Sequence, residues 1–331
     1  MRRELRVDVS AAVGTGEQLA VAATVLLPHG LDDRPGEPRT VVAGFPGGGY
    51  NRRYYDLDIP GHQGYSQARY HLARGRVFVA CDHLGTGGSD TPARPLDYDA
   101  VARANMQASR EILRLLRDGG VDADVPPLNV AAAAALGQSF GGFLLIIGQA
   151  ADPVFDGVAI LGYSARDPQT PWPAELSLDD VLSLRGGNGR DHPMRPWFHR
   201  EDVPDDIVLA DMTKRAGTLG SGAPWSTPAN PGGPAVRPTR RPRDSAPVAA
   251  DAARIAVPVL AAAGDVDVVP DPWREPAAYR GSAHVTTAVI PGMAHMHNFA
   301  STRRQLWGVV DDWLGVVARR PGGRQPGAPA D

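Results

Sequence analysis

Cysteine and lysine are almost missing from this 331-residue sequence, in which Cys81 and Lys214 are the single residues of their types. One cysteine excludes an internal disulfide, so nothing indicates an oxidising compartment. Cys81 lies in the apolar run 77–81, which predicts a small buried core residue. The remaining basic residues are arginines. They are scattered and balanced by 37 acidic residues, with a formal net charge of -3, so no basic surface for nucleic acid is expected.

Long apolar runs are missing as well. The sequence has no stretch of about 18 apolar residues, the length that crosses a bilayer. Residues 1–8 also lack the apolar segment of a secretory signal peptide. We therefore expect a cytoplasmic protein with no membrane partner. At 43% hydrophobic and 21% charged residues, the chain is long enough to bury a substantial core.

The most informative stretch is the turn Gly137-Gln138-Ser139-Phe140-Gly141. It follows the small apolar run 130–136 and precedes the helix-length apolar run 143–150. A serine at the apex of a sharp strand-to-helix turn projects its hydroxyl above the sheet edge, and glycines on either side let the two elements approach closely. Because the sequence contains 38 glycines, such a string also arises by chance. Ser139 therefore needs chemical partners elsewhere in the sequence.

Acidic residues and histidines follow two later strand-like runs. The apolar run 257–264 ends in Asp265 and Asp267, and the run 284–290 leads into a loop with His295 and His297. Ligands of open α/β sheets bind beyond the carboxyl ends of the strands, so these side chains are expected near Ser139. The two histidines also form an H-x-H pair, but no third ligand with suitable spacing is evident. We expect neither a metal nor another cofactor.

Two glycine-rich loops complete the pattern. A short predicted strand that begins at Arg39 runs into Gly47-Gly48-Gly49, whose backbone N–H groups carry no side chains in the way and suit a negatively charged oxygen. The second loop, 83–90, lacks the Lys-Ser/Thr ending of a P-loop. It also follows a fourth strand rather than opening the first βαβ unit, so nucleotide binding is not expected.

Taken together, these motifs resemble the α/β-hydrolase superfamily over nearly the whole chain. The matching segments are 44–49, 82–89, 137–141, 264–267 and 292–295. The resemblance implies an α/β fold with a mostly parallel central sheet flanked by helices and an inserted cap. It also implies catalytic roles for Ser139 as nucleophile, His295 as base and Asp267 as the acid that orients the base.

The spacing in the family pattern selects among neighbouring candidates. The acid lies three residues after Gly264, which favours Asp267 over Asp265, and the histidine lies three after Gly292, which favours His295 over His297. The family pattern implies an oxyanion hole from the N–H of Phe140 and one from the glycine loop. A histidine that often precedes these glycines is absent. The second donor therefore stays open among Phe45, Gly47 and Gly48.

The domain organisation follows from a change in composition. We predict a hydrolase core at 1–164, a cap insertion at 165–248 rich in proline, glycine, tryptophan and arginine, the rest of the core at 249–318, and a disordered tail at 319–331. His199 and Asp202 are expected on the solvated surface of the cap. Aromatic residues predicted to contact an apolar substrate are Phe45, Tyr50, Tyr163, Trp172, Trp197 and Trp225, although packing within the cap explains each tryptophan equally well.

These features predict a serine hydrolase that cleaves a carboxylic ester or lactone with an apolar body through an acyl-enzyme. A serine at the elbow argues against epoxide hydrolase and haloalkane dehalogenase chemistry, because those relatives use an aspartate there. Carbon–carbon bond or amide hydrolysis and acyl transfer are compatible with the same residues. So is a non-catalytic ligand-binding protein of this fold. A homodimer is also compatible with the sequence.

Overall fold

The computed structural model describes residues 1–31, 36–167, 195–212 and 248–319. Within these ranges, eight strands form one sheet in the order β1-β2-β4-β3-β5-β6-β7-β8. The strands are β1 Arg2–Asp8, β2 Ala20–Leu26, β3 Arg39–Phe45, β4 Val77–Cys81, β5 Val130–Gln138, β6 Gly157–Leu161, β7 Val259–Gly264 and β8 Val285–Ile290. Strand β2 is antiparallel to β1 and to β4, and the remaining neighbours are parallel.

Helices cover both faces of the sheet. Their bounds are α1 Ser10–Val13, α2 Gln67–Leu72, α3 Tyr98–Asp118, α4 Phe140–Ala151, α5 Arg195–Phe198, α6 Asp205–Met212, α7 Ala249–Ala252 and α8 Arg303–Ala318. Short 3₁₀ helices span Arg52–Tyr55, Pro272–Ala278 and His297–Phe299. The predicted fold class, a mostly parallel sheet flanked by helices, is confirmed.

Strand β5 shows why the central strands read as continuous apolar runs. Ala133 and Ala135 belong to the hydrophobic cluster that includes α3 and α4, whereas Ala132, Ala134 and Leu136 belong to the cluster that includes α8. Successive side chains of a strand point to opposite faces, so a strand covered by helices on both faces is apolar at every position. The carboxyl end of this strand delivers Ser139 to the sheet edge.

The predicted cap lies between β6 and β7. Its described parts are 165–167, 195–212 and residue 248, and they include α5 and α6. Trp172, Trp225 and residues 320–331 of the predicted tail lie outside the described residues. The domain boundaries therefore stay predictions. None of the helices in the described ranges is long and apolar enough to cross a membrane.

Candidate active site

Ser139 occupies a sharp turn between β5 and α4. Its φ of 49° makes it the one non-glycine residue with positive φ in the described ranges. A conformation of this kind costs of order 1–3 kcal/mol and persists only where the surroundings enforce it. A Cβ on Gly137 would lie 2.6 Å from the Gly141 carbonyl oxygen, and one on Gly141 would overlap the backbone of the loop after β3. Close approach of strand, helix and loop therefore requires both glycines.

Three predicted side chains meet at this turn. The Nε2 atom of His295 lies 2.9 Å from Ser139 Oγ, and its Nδ1 atom lies 2.6 Å from Asp267 Oδ1. A carboxylate only accepts hydrogen bonds, so Nδ1 carries the proton and Nε2 is free to accept from the serine hydroxyl. The serine proton can thus pass to an imidazole whose far side is held by a buried carboxylate.

The environment of Asp267 keeps its carboxyl group ionised. Burial by itself would raise the pKa, but the neighbouring His295 and His297 outweigh burial and hold the pKa of Asp267 well below its usual range. The backbone N–H groups of Gly264 and Val268 also donate to this carboxylate, at 3.0 and 2.7 Å. A carboxylate with four donors is the expected anchor for an imidazole.

Asp265, the other acidic candidate, has a different set of partners. Its carboxylate accepts from the backbone N–H groups of Gly292 and Met293 at 3.0 and 3.1 Å. These residues begin the loop that leads to His295. One aspartate therefore bonds the imidazole, and the other bonds the backbone of the loop that presents it.

The backbone of His295 is held from two sides. Its carbonyl oxygen accepts from the buried side chain of Gln138 at 3.0 Å, and its N–H donates to the carbonyl of Trp197 in α5 at 3.0 Å. Gln138 directly precedes the serine, so the turn and the histidine loop are tied together. This contact was not foreseen, because it joins positions 157 residues apart.

The glycine loop after β3 lies beside the serine. A Cβ built on Gly47 would be 3.3 Å from Ser139 Cβ, and one on Gly48 would be 3.8 Å from Phe140 Cβ. Phe140 begins α4, so its backbone N–H has no acceptor within the helix. Gly47 therefore lies next to Ser139 and Gly48 next to Phe140, and their roles as oxyanion donors stay predictions.

His83 holds the glycine loop after β3 in place through a hydrogen bond. Its Nε2–H donates to the Pro46 carbonyl at 2.9 Å, and its Nδ1 accepts from the Asn105 side chain at 3.0 Å. Burial lowers the pKa of His83, consistent with the neutral tautomer that these partners require. The peptide unit between Pro46 and Gly47 is therefore fixed at its carbonyl end. The sequence offered no signal for this pair beyond a histidine after β4.

The predicted substrate contacts fall in different surroundings. Phe45 is 1% exposed, and its ring packs against His83 in the core. Tyr50 is 8% exposed and donates to Asp211 at 2.9 Å. Tyr163 is half-buried against the Phe143 ring, whereas Trp197 is 43% exposed. Substrate contact by these residues stays a prediction.

The expected surface position of His199 was wrong. The residue is 3% exposed, its Nε2 lies 2.9 Å from Asp211 Oδ2, and its ring packs on Phe299. Burial follows because α5 and the residues after it pack against the loop after β8, while α6 supplies Asp211. Asp202, by contrast, lies at the surface and accepts from Ser301.

In the parts of the chain that the structure describes, no three histidine, cysteine, aspartate or glutamate side chains are grouped as metal ligands would be. The pair His295 and His297 shares Asp267 instead.

No protein-family model and no curated protein sequence matches the chain. Solved structures do. An esterase from Thermogutta terrifontis is 15% identical with a TM-score of 0.61, covering 96% of this chain and 99% of its own. The N-acyl homoserine lactonase AidH is 11% identical with a TM-score of 0.57, and the match covers 98% of this chain and 100% of AidH. Proline iminopeptidase from Mycobacterium smegmatis is 18% identical with a TM-score of 0.55, and the match covers 95% of this chain and 98% of the peptidase. The chain therefore has the fold of the α/β-hydrolase superfamily, as its motifs predict.

Proposed function

We propose that this protein is a serine hydrolase that cleaves a carboxylic ester or lactone, with Ser139 as nucleophile, His295 as base and Asp267 as the orienting acid. The observation that supports it most strongly is the unbroken line of hydrogen bonds from Ser139 Oγ through His295 to Asp267. A serine hydroxyl is a weak nucleophile near neutral pH, and this line supplies the base that it needs.

In the first step, Ser139 Oγ forms a bond to the substrate carbonyl carbon, and its proton moves to His295 Nε2. Asp267 accepts the Nδ1–H bond throughout, which keeps the ring in the required tautomer and stabilises the imidazolium. General base catalysis of this kind contributes about 10²–10⁴ in rate.

The carbonyl oxygen becomes negatively charged in this step. The backbone N–H of Phe140, together with one from Gly47 or Gly48, would donate to it. Because these donors are fixed before the reaction begins, each is worth roughly 2.7–4 kcal/mol in the transition state. The hydrogen bond that His83 Nε2–H donates to the Pro46 carbonyl would keep the loop peptide oriented.

In the second step, the carbon–oxygen bond to the leaving group breaks, and His295 returns its proton to the leaving oxygen. An ester releases a free alcohol, whereas the hydroxyl released from a lactone stays attached to the acyl chain. A water molecule, deprotonated by His295, then attacks the acyl-Ser139 carbonyl. The bond from the acyl carbon to Ser139 Oγ breaks, His295 returns the proton to Oγ, and the acid is released. An esterase and a lactonase share the fold, and so does a peptidase, so the fold is compatible with this choice of bond and the substrate panel below decides it.

The proposal is tested by incubation with a fluorophosphonate probe, followed by mass mapping of the modified residue. Labelling at Ser139 in the natural chain, lost in Ser139→Ala, is the expected result. Ser301→Ala is the matched control, because this exposed hydroxyl lies in the loop between Phe299 and α8, outside the proposed site.

A natural chain that stays unlabelled would contradict the proposal and favour a non-catalytic binding protein. Turnover of a panel of aryl esters, lactones and amides, scored by product mass, then identifies the bond. Faster turnover of amides than of esters would contradict the choice of ester or lactone.

A further inference from the structure

Asp267 has a second histidine partner that the proposed mechanism does not use. The Nε2 atom of His297 lies 2.7 Å from Asp267 Oδ2, whereas His295 bonds Oδ1. His297 is 1% exposed and begins the 3₁₀ helix His297–Phe299. Each oxygen of the Asp267 carboxylate therefore accepts a hydrogen bond from a different imidazole.

The protonation of His297 follows from its partner. Since the carboxylate accepts, Nε2 must be the protonated nitrogen. Among the described residues, Nδ1 of His297 is buried without a hydrogen-bond partner. A buried polar atom of this kind costs about 1–3 kcal/mol, so an apolar side chain would be the simpler way to fill the space. The bond to Asp267 is therefore the polar contact that accounts for a histidine here.

The end of β6 leaves room for this pair. Gly162 has a φ of 61°, and a Cβ there would lie 3.0 Å from His297 Cε1 and 3.2 Å from both carboxylate oxygens of Asp267. Any larger residue would crowd the histidine and the carboxylate together. The glycine is thus accounted for both by its backbone conformation and by the close packing of these two side chains.

The residue after His297 locks its position. The backbone N–H of Asn298 donates to the Tyr54 hydroxyl at 3.2 Å, and its side-chain amide donates to the Tyr54 carbonyl at 3.0 Å. Its side-chain oxygen accepts from Trp307 Nε1 at 2.8 Å. His297 is consequently presented from a fixed backbone and can hold the carboxylate in one orientation.

We infer that His297 is a positioning residue of the proposed hydrolase: it donates to Asp267 Oδ2 and fixes the carboxylate so that Oδ1 faces His295. This inference rests on the proposed function. Two backbone N–H groups, of Gly264 and Val268, restrict the rotation of the carboxylate. The hydrogen bond from His297 to Oδ2 restricts it further. The titratable groups that face Asp267 are His295, His297 and the buried phenol of Tyr54.

His297→Phe keeps a ring of similar shape but removes the donor. We expect kcat to fall roughly 10–100-fold with little change in KM, by analogy with the loss when a hydrogen-bond partner that orients a metal-ligating side chain is removed. A carboxylate that loses a donor holds the imidazolium of His295 more strongly. The acid limb of the pH–rate profile should therefore move to higher pH.

His297→Gln separates the donor from the ring. The side-chain amide of glutamine reaches about as far as imidazole Nε2 and still donates, but it does not titrate. We expect it to restore most of kcat and the wild-type acid limb. His284→Phe is the matched control, because His284 is an exposed histidine immediately before β8.

The test compares kcat, KM and the pH profile on a p-nitrophenyl ester for the natural chain and the three variants, with thermal unfolding as a check on folding. The inference is overturned if folded His297→Phe keeps wild-type kcat and acid limb, or if His297→Gln is as impaired as His297→Phe. Should His297→Phe fail to fold, ¹⁵N-histidine NMR of the natural chain decides. A protonated Nε2 on His297 supports the inference, and an unprotonated Nε2 overturns it. Failure of the proposed function would show separately, as absence of fluorophosphonate labelling in the natural chain.

Discussion

Two buried aspartates in this protein each have two ring-bearing partners, yet they serve different regions. Asp267 bonds His295 and His297 on the loop after β8, while Asp211 of α6 bonds His199 and Tyr50. Both carboxylates are fully buried. The first lies next to Ser139, and the second joins the insertion to the loop after β3.

The difference lies in what the far side of each imidazole meets. His295 presents Nε2 to the Ser139 hydroxyl, whereas His199 Nδ1 is buried without a hydrogen-bond partner in the ranges described. Burial, followed by the charge of Asp211, raises the pKa of Tyr50 well above its usual value, so its hydroxyl stays a donor. A histidine–aspartate pair is therefore not by itself evidence of a catalytic site. The candidate catalytic pair differs from the structural pair because a nucleophile is hydrogen-bonded to the second nitrogen of its imidazole.

The largest predicted effect comes from Asp267→Asn. An amide cannot accept from both histidines, so His295 loses the tautomer that the mechanism requires. We expect kcat to fall about 10⁴-fold with the fold retained. Steady-state rates on an aryl ester and circular dichroism measure this. A near-normal kcat in Asp267→Asn would contradict the claim that Asp267 serves catalysis whereas Asp211 serves packing.

A smaller loss is expected from Gly47→Ala. A methyl group there overlaps the amide oxygen of Gln138 and comes within 3.3 Å of Ser139 Cβ, so either the Gln138 amide or the loop must shift. Losing one oxyanion donor lowers kcat about 10²–10³-fold. Gly48→Ala is the matched comparison, because its methyl would meet Phe140 Cβ at 3.8 Å, an ordinary contact. Equal losses in both variants would show that the position of Gly47 is not special.

Asp211→Asn should lower the stability of the protein without a comparable loss of kcat. We expect a loss of about 1–3 kcal/mol in the free energy of unfolding, because a buried hydrogen-bonded charge is replaced by an imperfect partner. The kcat value should stay within about tenfold of the natural chain. Urea unfolding and the same ester assay provide the two readouts. A loss of kcat as large as that of Asp267→Asn would show that the two clusters act as one.

The smallest effect concerns His83, which bonds neutral groups rather than a carboxylate. Burial lowers the pKa of His83 in the folded protein below the ordinary value of about 6.5. The stability that depends on the neutral ring is complete above that ordinary value and declines as pH falls toward the folded-state pKa. The unfolding free energy of His83→Gln should therefore depend less on pH between about 6.5 and 5 than that of the natural chain. Parallel curves would contradict this.

Local patterns were sufficient to predict the fold and the three residues now proposed for chemistry. A strand covered on both faces is apolar throughout, and a tight turn between β5 and α4 needs glycine, so residues 130–141 could be interpreted without a structure. The resemblance to the α/β-hydrolase pattern, with its spacing after Gly264 and Gly292, predicts Asp267 and His295.

Side chains whose role depends on distant partners were missed. The sequence offers His297 only as an alternative to His295 or as half of an H-x-H pair, and it predicts a surface position for His199. Tyr50 and Asp211 are 161 residues apart, and Asp267 and His297 are 30 apart. Such contacts depend on how separate helices, strands and loops pack together. Neither the hydrophobic periodicity of a segment nor the spacing of residues within a motif predicts that packing. The same holds for Phe45, whose burial depends on His83 and Phe155.

The central claim is that Ser139 is reactive because His295 and Asp267 make it so, and the rate of fluorophosphonate labelling measures this most directly. The natural chain should be modified at Ser139, and Asp211→Asn should be modified at a similar rate. Asp267→Asn should react at least about 100-fold more slowly. Equal labelling rates at Ser139 in the natural chain and Asp267→Asn would contradict the account.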